Sequence, residues 1–263
     1  LIVALVATYA LGWFILLTGE YKHLGKHIAG GAGFASNLLF WGEAGYFDQS
    51  SDRKPLLHLW SLGIEEQFYF CWPFVLWLAW RRNVPVHWVM LALAAASFGW
   101  ALSRIAHNPV DVFYLPHMRV WELACGGLLA WFDQHRGLTS EKSATPHGSQ
   151  ALHRTFPRIA SEAMSLLGMC LLAAGFWTIG PHLDYPGAWA SVPVLGAVLV
   201  ILGGPASTLN RVLLSNRWAV GLGLISFPLY LWHWPLLSLA RSSRLEALST
   251  AHIGMIIGVS VLL

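Results

Sequence analysis

Residues 58–70 read HLWSLGIEEQFYF and run straight into CWPFVLWLAW, so a histidine, His58, and two adjacent carboxylates, Glu65 and Glu66, stand at the edge of a strongly apolar stretch. Ionisable side chains in such a place are expensive to keep, and by default they mark candidate functional sites. If the stretch is helical, the ~100° step per residue puts His58, Ser61 and Glu65 on one face, with Tyr69 on the same stripe and Glu66 turned elsewhere. A carboxylate facing a bundle interior can orient and charge-stabilise a histidine that acts as general base. Ser61, four residues before Glu65, is placed to hydrogen-bond to it. The plainer alternative is an interfacial collar in which Glu65, Glu66 and Gln67 do no chemistry.

Two further clusters carry polar groups inside apolar sequence. In ISFPLYLWHWPLL, 225–237, Ser226, Tyr230 and His233 fall at i, i+4 and i+7 and share a face, while Pro228 and Pro235 remove backbone hydrogen bonds and free carbonyls. A histidine among tryptophans also suits a packed, hydrogen-bonded role at a membrane interface. In FYLPHMRVWELACGGLLAW, 113–131, Arg119 and Glu122 are three apart and are expected to pair, which is how membrane helices usually neutralise such charges. Gly126 and Gly127 would then admit a neighbouring helix. There is no GxSxG elbow, Walker lysine loop, HExxH helix or GxGxxG turn, so the common soluble catalytic templates do not apply. The twelve histidines lack metal-ligand spacing, and no metal site is expected. Cys71, Cys125 and Cys170 lie in apolar runs without CxxC spacing and read as packing residues.

The elements that must position these groups are membrane helices. Of 263 residues, 56% are hydrophobic and 11% charged, against about 25% charged in a soluble domain. Apolar runs at roughly 1–17, 67–80, 86–102, 118–132, 163–180, 188–204, 217–239 and 249–263 predict an all-α, polytopic transmembrane bundle with about eight spans. Barrel strands would instead alternate over ~10-residue segments. Residues 1–263 read as one membrane domain, and because the sequence starts and stops inside apolar runs, as a piece of a longer protein. The polar 133–162 stretch reads as a loop. The 18–66 segment is too apolar for a linker and too interrupted by glycine for a span. It reads as extracytoplasmic or interfacial structure, with Trp41, Tyr46 and Phe47 at headgroup depth. Lysine and arginine placement puts 81–85, 133–162 and 205–216 in the cytoplasm and 18–66 outside. The net charge of +3 comes without a basic run, so the expected partner is the lipid bilayer and not nucleic acid.

Four ordered motifs, HLWSLGIEEQFYFCWP (58–73), FYLPHMRVWELACGGLLA (113–130), YPGAWASVPVLGAVLVI (185–201) and LISFPLYLWHWPLL (224–237), resemble the acyltransferase-3 family of polytopic bacterial membrane acyltransferases. The resemblance covers essentially the whole chain. GEYKHLGKHIAGGAGFASNLLFWGEAGYFD (19–48) is similar to the branch whose members often carry an appended SGNH-like domain. The family implies a multi-pass protein of the bacterial cytoplasmic (inner) membrane. It implies an acyl-CoA-type donor, acetyl-CoA, with no bound cofactor, and a hydroxyl acceptor on a surface polysaccharide such as lipopolysaccharide O-antigen, or on a lipid-linked glycan. It also implies a catalytic histidine on a first transmembrane helix, preceded by an arginine. Neither element is in this sequence, and without them the chain alone is expected to be inactive.

By this likeness Glu65 matches the family's acidic residue and His58 the start of its motif; these are the catalytic candidates. Ser61, Glu66, Gln67, Arg119, Glu122, Tyr230 and His233 are expected to bind substrate or scaffold the cavity. Leu59, Gly63 and Phe227 depart mildly from the family pattern, and none removes a titratable group. Two other readings remain: a transporter of a small solute or acyl group using a kinked 217–239 helix, and a structural membrane subunit that would leave the polar stripes without a role.

Overall fold

The computed structural model describes residues 1–45, 50–138, 156–180, 182–243 and 249–262. Among them the chain is built from α-helices and short 3₁₀ turns, with no strand. Among these residues each apolar run anticipated above is largely helical. In chain order the helices are α1 (Ile2–Ile15), α2 (Thr18–Ala32), α3 (Ser36–Glu43), α4 (Leu59–Arg81), α5 (Val86–Arg104), α6 (Pro109–Tyr114), α7 (Val120–Leu138), α8 (Arg158–Thr178), α9 (Ser191–Gly203), α10 (Thr208–Leu213), α11 (Arg217–Leu224), α12 (Ser226–Ser242) and α13 (Thr250–Leu262).

Length and composition qualify fewer of these as spans than the expected eight. Among the described residues, α5 and α8 are long and apolar enough to cross a bilayer, and α11 with α12 would make a third span broken by a 60° bend. α1, α9 and α13 are apolar but shorter. α4 and α7 have the length, yet they carry Glu65, Glu66 and Gln67, and Glu122 and Asp133, which dilute their hydropathy. Large apolar side chains such as Trp13, Phe14, Phe70, Trp80, Phe176 and Trp177 are exposed, a surface that lipid solvates and water does not.

The chain packs as two compact units, Leu1–Tyr69 with Gly221–Leu263, and Phe70–Val220. The core of the first gathers Ala4 and Leu5 of α1, Leu24 of α2, Leu56, Leu59 and Leu62 around the start of α4, and Leu231 of α12. Here the glycine-interrupted 18–66 segment turns out to be largely helical. Gly31 is a contact point: a Cβ there would stand 2.9 Å from Leu59 Cδ1, so α2 lies close against the start of α4. Trp41 is exposed as an interfacial residue would be; Tyr46 and Phe47 lie outside the described residues.

The 60° bend falls at Ile225, where helical structure is interrupted. Pro228 sits in the first turn of α12, and its missing N–H would have faced the Leu224 carbonyl at the end of α11, so this proline lies just after the break. Pro235 alone falls in the helix interior. The expected 133–162 loop is shorter than its polar composition suggested, because α7 continues to Leu138 and α8 starts at Arg158. Its central part, with Lys142 and Arg154, lies outside the described residues.

In the second unit α5 packs on α7, and the Trp121 N–H, unpaired at the start of α7, donates to Ser97 Oγ of α5 at 3.2 Å. α8 and α9 cross through small residues: a Cβ on Gly168 would meet Gly196 O at 2.7 Å and Val200 N at 2.8 Å. Backbone atoms cannot step aside as a side-chain tip can, so close approach here depends on glycine. Gly168→Ala should therefore lower the thermal unfolding midpoint of detergent-solubilised protein by several degrees, following a cost of about 1–3 kcal/mol for overpacking. Gly99→Ala in α5, where a Cβ meets nothing within 4 Å, should leave the midpoint unchanged or raise it.

Candidate functional site

In the first unit, the polar faces expected on 58–70 and 225–237 come together. The Tyr230 hydroxyl of α12 donates to the His58 carbonyl just before α4, and pairs with Ser61 Oγ at 2.9 Å. Beside this contact lies a pocket of about 290 Å³ lined by Ser61, Leu62, Glu65, Ser226, Phe227 and Tyr230. The helical period thus placed Ser61 and Glu65 on one wall, but Ser61 spends its hydrogen bonds on Tyr230 and the His58 carbonyl, not on Glu65. Glu65 lines the pocket with no hydrogen-bond partner among the described residues. Tyr69, on the same sequence stripe, is 57% exposed.

His58 adds an unusual feature. Both of its ring nitrogens are buried, and neither has a hydrogen-bond partner among the described residues. Its ring centroid is 5.0 Å from that of Tyr230 and 5.8 Å from that of His233. His233 turns Nδ1 toward the carbonyls of Leu229 and Tyr230, at 3.0 and 2.9 Å, so Nδ1 carries a proton and donates it there.

The other two members of the E-E-Q triplet behave differently from Glu65. Gln67 Nε2 donates to Phe34 O at 2.8 Å and to Asn37 Oδ1 at 2.9 Å, and Asn37 is fully buried. Phe34 holds a left-handed φ of 53° between α2 and α3, so Gln67 pins a strained junction to α4. Gly63, one turn earlier, leaves room for this clamp: a Cβ there would stand 2.8 Å from Asn37 Oδ1. Gln67 is therefore scaffold. Glu66 is half-buried and makes no hydrogen bond among the described residues.

A buried charged cluster escaped the sequence reading. His27 of α2 places Nε2 at 3.0 and 2.9 Å from the two carboxylate oxygens of Glu43 at the end of α3, and Lys54 Nζ lies 3.2 Å from Glu43 Oε2. The His27 and Lys54 side chains are nearly inaccessible, at 3% and 4% exposure. Burial pushes the His27 ring below its ordinary value; Lys54 and His23 add to that, and Glu43 opposes it. Burial alone would raise the Glu43 carboxyl, but the bonds and charges of His27 and Lys54 outweigh it and hold the group below its usual range. No spacing rule links residues 27, 43 and 54, and the only hint in the sequence is charge among glycines and aromatics.

Arg119 and Glu122 belong to the second unit, where they pair as expected, Nη2 to Oε2 at 2.9 Å, with the guanidinium 5.8 Å from the Phe113 ring. That unit has a larger groove of about 490 Å³, lined by Leu166, Leu209, Val212 and Leu213 beside Glu162 and Thr208. Its carboxylate is already engaged: Glu162 accepts from Thr208 N at 2.8 Å and Ser207 Oγ at 3.0 Å, capping α10. The smaller pocket, with an unengaged carboxylate, is the better chemical candidate. Among the described residues no group of three or more His, Cys, Asp or Glu is arranged to hold a metal ion.

A family model described as an acyltransferase domain matches residues 2–263. The peptidoglycan O-acetyltransferase OatA of Listeria monocytogenes is 30% identical over 215 residues, covering 78% of this chain and 33% of that protein. An uncharacterised protein of Haemophilus influenzae is 36% identical over 138 residues, 49% of this chain and 55% of that protein. An O-acetyltransferase OatA of Staphylococcus aureus is 24% identical over 203 residues, 75% of this chain and 32% of that protein. The chain thus spans about one third to one half of the length of these relatives. No solved structure matches it.

The His27 cluster sets a pH dependence of stability. A histidine whose folded pKa lies below its ordinary 6.5 resists a proton that the unfolded chain accepts, so folding loses free energy as pH falls from about 6.5 toward the folded value. Glu43, held below 4.5, stays ionised over that range. The unfolding midpoint in detergent should fall between pH 7 and pH 5, and His27→Gln should flatten that part of the curve. An equally steep fall in the variant would show that His27 is not its source.

Proposed function

The chain belongs to the acyltransferase-domain family whose model its residues 2–263 match, and from that membership we propose that it forms the membrane part of an O-acetyltransferase acting on a hydroxyl of a cell-envelope polysaccharide. The observation that carries the reading is the pocket between α4 and α12. There Glu65, a carboxylate without a hydrogen-bond partner among the described residues, faces hydroxyl groups whose positions are fixed by their own hydrogen bonds. Membership in a group-transfer family, together with this acid–base geometry, favours chemistry over solute transport.

In this reading a sugar hydroxyl enters the pocket beside Glu65. As its oxygen attacks the acyl carbonyl of a thioester donor such as acetyl-CoA, its proton passes to Glu65 or to a histidine that Glu65 orients. The thiolate leaves and is protonated, and an ester and a free thiol result. His58, the other catalytic candidate, stands behind this wall with both ring nitrogens buried. Ser61 and Tyr230, locked to each other and to the His58 carbonyl, shape the floor. Gln67 acts one step back, by holding α4 against the α2–α3 junction.

Peptidoglycan is the acceptor that the name of the Listeria relative supports. Lipopolysaccharide O-antigen is the acceptor that the motif resemblance implies. Both offer sugar hydroxyls, and the protein would work from the bacterial cytoplasmic membrane. The test is acetyl transfer from acetyl-CoA by the full-length protein, with each glycan supplied separately. Glu65→Gln should reduce transfer by about 10²-fold or more, the scale of lost general acid–base catalysis, while expression and melting are kept. Wild-type turnover by that variant would overturn the assignment.

A further inference from the structure

We infer that residues 50–58 are a strap laid along α12 that sets the position of His58, and that Lys54 is its positioning residue. Three side chains of α12 grip it in sequence. Tyr230 donates to the His58 carbonyl, Trp234 Nε1 donates to the Lys54 carbonyl at 2.9 Å, and Arg241 Nη1 lies 3.5 Å from Asp52 Oδ1. Positions 230, 234 and 241 recur on one helical face, and their partners descend from 58 to 54 to 52, so the strap runs antiparallel to the helix.

Lys54 is held from both sides. Its carbonyl accepts from α12, while its ammonium is buried against Glu43, which His27 also binds, and lies 5.4 Å from the Phe40 ring. A cation this deep persists only where it is paired, so the pair fixes the side chain and the backbone that carries it. Consecutive turns then transmit the position to His58: Leu57 N donates to Lys54 O at 3.1 Å, and Leu59 N to Leu56 O at 3.1 Å. Leu56, between them, is anchored in the core at 1% exposure. His58 keeps its buried, unpartnered ring because the strap, not the ring itself, holds it in place.

The effect on turnover rests on the acetyltransferase reading; the effect on His58 does not, and the two are measured separately in the full-length protein. Without turnover, modification of histidines by diethyl pyrocarbonate is followed by mass spectrometry. Trp234→Phe leaves every charge in place and the Lys54 carbonyl still bonded to Leu57 N. It should raise modification of His58 by about threefold or more, as expected when one grip on a protected ring is released, while His27 stays protected. In the transfer assay, Trp234→Phe and Lys54→Met should each lower kcat by about tenfold or more with KM nearly unchanged, the signature of misplaced groups.

Lys54→Met should also acquire a pH dependence. With Lys54 gone, its repulsion of a proton on His27 is removed while the attraction of Glu43 remains, so His27 can take a proton and supply the missing charge. Activity of Lys54→Met should recover as pH falls below about 6.5, and Lys54→Met with His27→Gln should not recover. Unchanged His58 modification in Trp234→Phe overturns the strap, whatever the activity. An inactive wild type, or a fully active Glu65→Gln, overturns the acetyltransferase reading and leaves the modification result to decide the strap.

Discussion

The hydroxyl of Tyr230 cannot be buried between helices without partners; leaving it unpaired would cost about 1–3 kcal/mol. It finds them in the His58 carbonyl and the Ser61 hydroxyl, and in doing so it sets how α12 is rotated against the start of α4. Ser226, one turn before Tyr230, and Glu65, one turn after Ser61, then face the same pocket. The packing of Leu231 against Leu59 and Leu62 follows from the same rotation. A site made from two segments 169 residues apart is thus held by a hydroxyl–hydroxyl contact at its floor.

The triplet Glu65, Glu66, Gln67 separates a pocket-lining group from a supporting one within a single turn of helix. Successive residues point about 100° apart, so Glu65 reaches the pocket while Gln67 reaches the α2–α3 junction. Engaged and unengaged groups divide along the same line elsewhere. Gln67, Glu43 and Glu162 have partners on other elements and tie those elements together, and Glu122 is paired with Arg119 at the start of its own helix. Glu65 and the His58 ring lack partners among the described residues, and they are the groups left with reactive capacity.

Support for the pocket comes from charge as well as from apolar packing. The His27–Glu43–Lys54 cluster joins α2, α3 and the strap, all of which precede α4. Buried ions of this kind seldom add much net stability, since desolvation cancels most of their attraction. What they provide is a single allowed geometry, because any other arrangement strands a charge. A segment with only one short 3₁₀ turn, at Ser51–Arg53, leading to a candidate reactive histidine, is where such a constraint has most effect.

Apolar runs located the helices, since only helices satisfy backbone polar groups locally in lipid. The helical period placed Ser61 with Glu65 and Arg119 with Glu122, because neighbours three or four apart meet by geometry alone. Sequence motifs were also sufficient to recognise the family, which the match over 2–263 establishes. Tertiary structure decided which of these groups were engaged. Ser61 turned from Glu65 to Tyr230, Gly30 and Gly31 of α2 became contact points, and Lys54 was drawn into a buried ion pair. The reason is that local order repeats along the chain and leaves a period to read, whereas a hydrogen bond between distant segments depends on where the whole chain has brought them and leaves none.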